Sequence, residues 1–308
     1  MTDHHVKTLT AFAWGMGTVL AFCLQAIATR ELDKAIPVQE IVLFRALTGL
    51  VVTVGIITWI GNHDLFKTRR PGMHLIRHGF HFFGQCGWLF GIGYLALADV
   101  FALEFTVPVW VALIAAIFLR ERLSVRRCIA IALGLVGVVI IVNPTTGLIE
   151  GPALIVLASA VFYAIAFTAN KSLAHTDSAM TLIFFMSLIQ FPMGLVLSIH
   201  AWVTPQGQEW FWLIAIGLCA LAGHYCITRA MQLADVSFVM TVDYLRLPLI
   251  AVIGSLLYLE PLKYPLLIGG LIILIGNMIN VRDQLDRATV HDKVSDPGSP
   301  EDHEPDQR

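Results

Sequence analysis

One sequence pattern occurs twice along the chain, and this duplication constrains the possible fold more than any other feature. The first copy runs from Leu97 to Asn143 and the second from Leu233 to Asn280. Both open on Leu-Ala-Asp-Val and continue through an apolar stretch that contains a proline, Pro108 or Pro248. Both then reach a glutamate and resume in a second apolar stretch that contains glycine. Self-similarity at a fixed offset indicates an internally repeated architecture.

The acidic residues have the same spacing in both copies. Glu104 precedes Glu121 by 17 residues, and Asp243 precedes Glu260 by 17 residues. Each half therefore carries an acid at the same place within its own predicted helix. Internal repeats of this kind are common in secondary transporters.

The composition excludes an ordinary soluble domain. Of the 308 residues, 57% are hydrophobic and only 14% are charged, and the mean hydropathy is +0.75. Soluble domains carry about 25% charged residues. The apolar runs are each about 18 to 24 residues long, which is the length that crosses the hydrocarbon core of a bilayer as a helix.

Ten membrane-spanning helices are predicted, five in each half. They cover about residues 9–29, 37–60, 78–97, 100–119 and 127–143 in the first half and 151–172, 178–201, 210–232, 236–259 and 263–281 in the second. We expect an all-α membrane protein in which residues 8–143 and 151–281 form two five-helix repeats. Because each repeat has an odd number of spans, the second repeat must be inverted relative to the first. Residues 282–308 are polar and acidic, and we expect a disordered cytoplasmic tail there.

The distribution of basic residues predicts the orientation in the membrane. Clusters at 67–77 and 120–127 fall on one side of the predicted bundle. The other side carries few basic residues, namely Arg30, Lys34 and Lys263. Positive charge favours the cytoplasmic side, so both termini are predicted to be cytoplasmic and the protein to reside in the inner membrane. We expect the first span to be retained rather than cleaved, because it has a counterpart in the second half.

Four charged residues lie within predicted spans, where an ionised side chain is costly. Arg45 and Glu104 lie about 12 Å and about 8 Å from the outer surface, and these similar depths predict a pair. Asp243 and Arg246 are three residues apart on one helix and are predicted to face each other. Two interpretations remain open. The charges form structural ion pairs, or they line a central cavity that binds substrate or a coupling proton; we favour the cavity.

Imidazole, amide and aromatic side chains accompany these charges. In the third span His78, His81, Gln85 and Trp88 recur at helical spacing on one face. His224 in the eighth span, Tyr244 in the ninth and Tyr163 in the sixth are further candidates. Together they would suit a substrate with an apolar or conjugated body and a charged or zwitterionic head.

Small residues and prolines are interpreted structurally. Gly137 in the fifth span and Gly269 in the tenth are predicted to allow close helix packing. Gly87 and Gly223 align between the halves and are interpreted in the same way. The prolines of spans four and nine predict bends, because each removes a backbone hydrogen bond.

The motifs of common enzymes are missing from the sequence. It contains no glycine-rich phosphate loop, no Gly-x-Ser-x-Gly and no His-Glu-x-x-His. The five cysteines have no metal-ligand spacing, and the basic residues are dispersed among loops. We therefore expect neither an enzyme nor a cofactor or metal site, and no nucleic-acid partner.

The duplicated pattern and the charged residues within the predicted spans resemble the drug/metabolite transporter superfamily, specifically its EamA-type members with two five-helix repeats. The resemblance covers about residues 8–281. It rests on Phe44-Arg45, on the helix from Ala98 through Pro108 to Glu121, and on Tyr244-Leu245-Arg246-Leu247-Pro248 with Glu260. It implies transport of amino acids, S-adenosylmethionine, riboflavin or other small organic solutes. The segment Lys-Thr-Arg-Arg-Pro-Gly-Met-His, with helix three, resembles the S-adenosylmethionine-uptake and riboflavin-type branches more than it resembles aromatic-amino-acid exporters.

The sequence therefore predicts a secondary transporter that moves a small organic metabolite across the cytoplasmic membrane by alternating access. A small-molecule substrate, the lipid bilayer and a coupling proton are the expected partners. The alternatives are an exporter of the same fold, a channel and a non-transporting membrane scaffold. A receptor or scaffold would be expected to have a sizeable soluble domain or long loops.

Overall fold

All regular elements that the structure describes are helical. The computed structural model describes residues 3–32, 34–118, 125–142, 151–173, 176–233, 239 and 242–295. In the first half the helices are α1 (Asp3–Glu31), α2 (Val38–Ile60), α3 (Pro71–Tyr94), α4 (Leu97–Glu104), α5 (Val107–Phe118) and α6 (Val125–Val142). In the second half they are α7 (Gly151–Leu173), α8 (Ala179–Ser198), α9 (Glu209–Leu233), α10 (Arg246–Tyr258) and α11 (Tyr264–Ser295). The predicted all-α class is confirmed.

The helices follow the ten predicted spans in order. Five stretches are long and apolar enough to cross a membrane, namely Leu9–Glu31, Val38–Ile60, Gly151–Asn170, Ala179–Ser198 and Glu209–Leu233. Shorter apolar helices lie at Cys128–Ile141, Arg246–Tyr258 and Tyr264–Ile279. The chain is thus a multi-pass membrane protein.

The fourth span is divided into two helices, where the sequence predicted a single bent one. Helix α4 ends at Glu104, and α5 begins at Val107. Pro108 explains the division, because its ring has no N–H and clashes with the carbonyl four residues earlier. The break leaves the Phe105 carbonyl free of a helical partner, and the Asn277 amide of α11 donates to it over 2.7 Å.

The ninth span has a break at the equivalent place. Asp243 precedes a turn at Tyr244 and Leu245, and α10 then begins at Arg246. Phe105 directly follows Glu104 in the sequence, and Tyr244 directly follows Asp243. The rings of Phe105 and Tyr244 meet edge to face, with centroids 5.3 Å apart. The two interrupted helices therefore meet at the centre of the molecule.

Helices α2 and α8 show that the repeats are inverted. They are the second helices of their respective repeats, and they pack against each other in opposite directions. Gly194 lies against Leu43, Arg45 contacts Gln190, and Gly49 lies against Ser187. The residue number rises along α2 as it falls along α8. If the two-fold axis that relates the repeats were parallel to these helices, α2 and α8 would run in the same direction. Because they run in opposite directions, the axis must be perpendicular to them.

Glycines allow a close backbone contact between α6 and α11. A Cβ added to Gly137 would lie 2.6 Å from the Gly269 carbonyl oxygen, and one added to Gly269 would lie 2.6 Å from the Gly137 carbonyl oxygen. Gly87 faces Ser159 of α7, and its counterpart Gly223 faces Phe22 of α1. The predicted packing role of these glycines is confirmed.

The end of the chain departs from the prediction. Helix α11 continues to Ser295, so residues 282–295 are helical where a disordered tail was expected. This stretch contains neither proline nor glycine before Pro297, and Asp283 and Arg287 stand at the i, i+4 spacing that supports a helix. Residues 296–308 and Glu121 lie outside the described residues.

Candidate substrate site

Arg246 lies at the junction of the two repeats and contacts an acid from each. Its Nη2 donates to Asp243 Oδ2 over 2.6 Å, and its Nη1 lies 3.4 Å from Glu104 Oε1. Asp243 and Arg246 are each only 6% exposed. The predicted Asp243–Arg246 pair is confirmed. Both acids stand just before the helix break of their repeat, so the duplication itself creates the three-residue cluster.

Glu104 has a second partner and is not paired with Arg45. The indole Nε1 of Trp88 donates to Glu104 Oε2 over 2.8 Å. The predicted Arg45–Glu104 pair is wrong, because the Arg45 side chain binds the α8 amide of Gln190 instead, with Nη2 2.7 Å from Oε1. Similar depth in the membrane does not define which helix a side chain faces.

Three phenylalanine rings surround the Arg246 guanidinium. Its central carbon lies 5.1 Å from the ring centroid of Phe22, 5.1 Å from that of Phe105 and 5.6 Å from that of Phe101. Such contacts stabilise a cation where water is excluded. Sequence analysis missed these residues, although Phe101 and Phe105 flank Glu104 at helical spacing.

Three buried polar atoms in or beside this cluster have no hydrogen-bond partner among the described residues. They are the hydroxyl of Tyr244, Oδ1 of Asp243 and Nε of Arg246. Unpaired buried polar atoms are uncommon in native proteins, and they mark positions where a ligand or water can bind. Tyr244, predicted from the sequence as a site residue, therefore lies beside the charged cluster.

A second cluster extends along the buried face of α3. Gln190 of α8 is completely buried, and its Nε2 lies 3.2 Å from the His78 carbonyl oxygen and 3.0 Å from His81 Nδ1. The His81 ring contacts the rings of Tyr163 and His224, with centroids 5.3 and 5.5 Å apart. The Tyr163 hydroxyl is 3.5 Å from Gln85 Oε1. The predicted face of α3 is thus brought together with Arg45 and His224.

Arg77 and His74 also belong to this face, and the sequence analysis missed both. Arg77 Nη1 is 2.7 Å from His78 Nδ1, and His78 Nε2 is 3.2 Å from His74 Nδ1. His74 Nε2 in turn lies 3.5 Å from Asp177 Oδ2. Arg77 was assigned to a cytoplasmic loop cluster, but its position four residues before His81 could have placed it on the buried face.

Arg77 determines which nitrogen atoms donate and which accept in the series Arg77–His78–His74. A guanidinium only donates, so His78 Nδ1 must accept from Arg77 and His78 is neutral. His78 Nε2–H then donates to His74 Nδ1, and His74 Nε2–H points to the Asp177 carboxylate. The series leads from the interior to the connection between α7 and α8.

A single ring joins the two clusters. Phe22 of α1 contacts the His224 ring with centroids 5.4 Å apart, and it also covers the Arg246 guanidinium. All eleven candidate residues named from the sequence therefore lie in one continuous polar and aromatic interior. Its acidic part consists of Glu104, Trp88, Asp243, Arg246 and Tyr244, and the part around Arg45 consists of Arg45, His78, His81, Gln85, Tyr163 and His224.

Comparison with known families decides the classification. The model of the EamA-like transporter family matches residues 9–143 and 151–282, which are the two repeats. The chain belongs to the EamA-like transporter family. The ten-helix, two-repeat arrangement described above is the structure of a transporter of this family.

Relatives of this transporter are named for several solutes. A riboflavin transporter of Vibrio cholerae is 27% identical over 259 residues, which cover 83% of this chain and 86% of that protein. An S-adenosylmethionine uptake transporter of Rickettsia felis is 22% identical over 274 residues, covering 89% and 93%. A pseudopaline exporter of Pseudomonas aeruginosa is 26% identical over 259 residues, covering 83% and 90%. A solved crystal structure with 19% identity aligns at a TM-score of 0.63 over 91% of this chain and 98% of its own, a likeness of fold alone.

Proposed function

We propose that this protein is a secondary transporter that moves a small organic metabolite across the cytoplasmic membrane by alternating access. The observation that carries the proposal is the Glu104–Arg246–Asp243 cluster, which joins the two inverted repeats at their helix breaks. Any rocking of one repeat against the other must change these contacts. The named relatives, two of which carry riboflavin or S-adenosylmethionine in their names, support transport of a solute of similar size.

The proposed substrate is an amino-acid-derived or heterocyclic metabolite, such as S-adenosylmethionine, riboflavin or an amino acid. The rings of Trp88, Phe101, Phe105 and Tyr244 offer apolar faces to a conjugated body. Glu104 and Asp243 offer carboxylates to a cationic group. This cluster thus combines mostly apolar rings with a few charges, which is the composition that small-molecule sites have.

The charged cluster also suggests how binding opens the closed arrangement. Arg246 holds an acid from each repeat, and all three groups are largely buried. A substrate cation competes with Arg246 for a carboxylate, and a proton on Glu104 or Asp243 weakens the same contact. Either event weakens the link between the two helix breaks, so that the site can become accessible from the opposite side. The distribution of basic residues supports cytoplasmic termini in this scheme.

Neutralising the acids tests this proposal. In proteoliposomes, Glu104→Gln and Asp243→Asn are expected to reduce uptake at least about tenfold, because each removes a charge from a buried cluster. They are also expected to change the dependence of uptake on pH. Asp64→Asn, which alters an exposed carboxylate between α2 and α3, is the matched control and should transport normally. Full activity with an unchanged pH profile in both site variants would remove the acids from the mechanism.

Export by the same fold is the second candidate, favoured by the similarity to a named pseudopaline exporter. Uptake measured in right-side-out and in inverted vesicles separates the two directions. A channel would lack saturable counterflow, and a non-transporting scaffold would show no flux in either vesicle type.

A further inference from the structure

We propose that Arg45 and Arg77 form a binding site for an anionic group, a carboxylate or a phosphate, that is separate from the acidic cluster around Arg246. The site deepens the proposed transport function by adding an anionic group to the chemistry of the substrate. It is built by α2, α3 and α8, whereas the acidic cluster is built at the helix breaks.

Both arginines are buried without a matching negative charge. Arg45 is 4% exposed and Arg77 is 6% exposed. Within the described ranges, each is hydrogen-bonded only to neutral groups, Arg45 to the Gln190 amide and Arg77 to the His78 imidazole. The guanidinium keeps its proton under all ordinary conditions, so two full positive charges remain in the interior. Buried charges that lack a partner are strongly unfavourable.

Arg246 shows what a compensated arginine looks like in the same protein. It contacts two carboxylates and three aromatic rings. Among the residues that the structure describes, no carboxylate contacts Arg45 or Arg77. Two neutral imidazoles separate Arg77 from Asp177, whose carboxylate lies 3.5 Å from His74 Nε2. The missing partner of the basic pair is therefore an anion.

The two guanidiniums are held near each other by shared neighbours. Gln190 accepts from Arg45 through Oε1 and donates to the His78 carbonyl through Nε2, and the ring of the same His78 accepts from Arg77. The Nε atoms of both arginines are buried and have no hydrogen-bond partner, which is also true of Arg246, so the lack of a carboxylate is what sets the pair apart. Unused donors on two rigid forks are suited to a carboxylate or phosphate, which binds two N–H groups at once.

A small void, about the size of one water molecule, lies beside Arg45. Its polar lining consists of Arg45, Gln190 and Ser187, and the rest of the lining is apolar, including the small residues Gly49 and Gly217. A larger anion would have to displace neighbouring side chains to reach Arg45 there. An anionic group of the transported solute or a free inorganic anion would satisfy the same donors.

Direct binding measurements on the purified full-length protein test this site without requiring transport. We expect inorganic phosphate or acetate to raise the thermal midpoint saturably, relative to sodium chloride of equal ionic strength. Arg45→Gln and Arg77→Gln should each weaken the binding of that anion by about tenfold or more, because each removes a charged donor pair. Without added anion, neither substitution should lower the midpoint, because each removes an unmatched buried charge.

Two further variants make the result specific. Arg69→Gln neutralises an exposed arginine close to Arg77 in sequence and should bind anions as the wild type does. Arg77→Lys keeps the charge but not the planar fork, so it should fold normally and bind with intermediate affinity. If neither phosphate nor acetate binds saturably to the wild type, or if both glutamine variants bind like the wild type, the proposal is overturned.

Competition then separates the two sources of the anion. If the bound anion competitively inhibits solute uptake, the site receives the anionic group of the solute. If it binds without affecting uptake, the site holds a free anion. If the protein binds the anion saturably but does not transport any solute, only the transport proposal is overturned. The anion-site proposal is then still supported.

Discussion

At the scale of single residues, the hydrogen-bond partners of each buried charged side chain determine the arrangement of the interior. Glu104 illustrates this, because it receives an indole N–H from Trp88 as well as the guanidinium of Arg246. The i, i+3 spacing was sufficient to predict the Asp243–Arg246 pair, since both side chains belong to one helix. Spacing could not predict the partner of Arg45 or the burial of Arg77, because these depend on which helices become neighbours.

Trp88→Phe tests the indole contact to Glu104. The change keeps an aromatic ring but removes the N–H, and losing a hydrogen bond to a charged group costs about 1.5 to 3 kcal/mol. We expect a lower thermal midpoint and weaker solute binding, measured on purified protein. Trp59→Phe is the matched control, because Trp59 is 88% exposed, and it should leave both quantities unchanged. Equal behaviour of the two variants would show that the Trp88 hydrogen bond has no role.

At the scale of helices, glycine and proline determine how the spans pack and where they break. Apolar length predicted most spans within a few residues, but α3 begins at Pro71 where the third span was predicted to begin at residue 78. The division of spans four and nine was not predicted, because a proline bends some transmembrane helices and interrupts others. The outcome here depends on a tertiary partner, since Asn277 of α11 satisfies the carbonyl that the break of the fourth span exposes.

Substituting the glycines between α6 and α11 tests the close packing. In Gly137→Ala or Gly269→Ala, the new methyl group would lie 2.6 Å from a backbone carbonyl oxygen, so the helices must separate. We expect each variant to be destabilised by about 1 to 3 kcal/mol, as overpacked sites are, and to unfold at a lower temperature. In Gly55→Ala of α2 nothing lies within 4 Å, so stability should be unchanged or slightly higher. A stable Gly137→Ala protein would contradict the packing described.

At the scale of the whole molecule, the duplication accounts for the fold and the site together. The repeat pattern predicted two five-helix halves, and the antiparallel contact of α2 with α8 agrees with their inversion. The equal spacing of Glu104 and Asp243 within their copies placed both acids at the junction. The sequence alone could not predict that a single arginine would bind both, because that contact requires the two halves to be assembled.

Cysteine labelling in right-side-out vesicles tests the inverted arrangement most directly. A chain without its five native cysteines would carry Arg69→Cys in the α2–α3 connection or Gln206→Cys in the equivalent α8–α9 connection, both exposed positions. We predict that a membrane-impermeant thiol reagent labels Gln206→Cys at once but labels Arg69→Cys only after the vesicles are opened. Labelling of both positions from the same side would contradict the inverted repeats and the alternating-access site built on them.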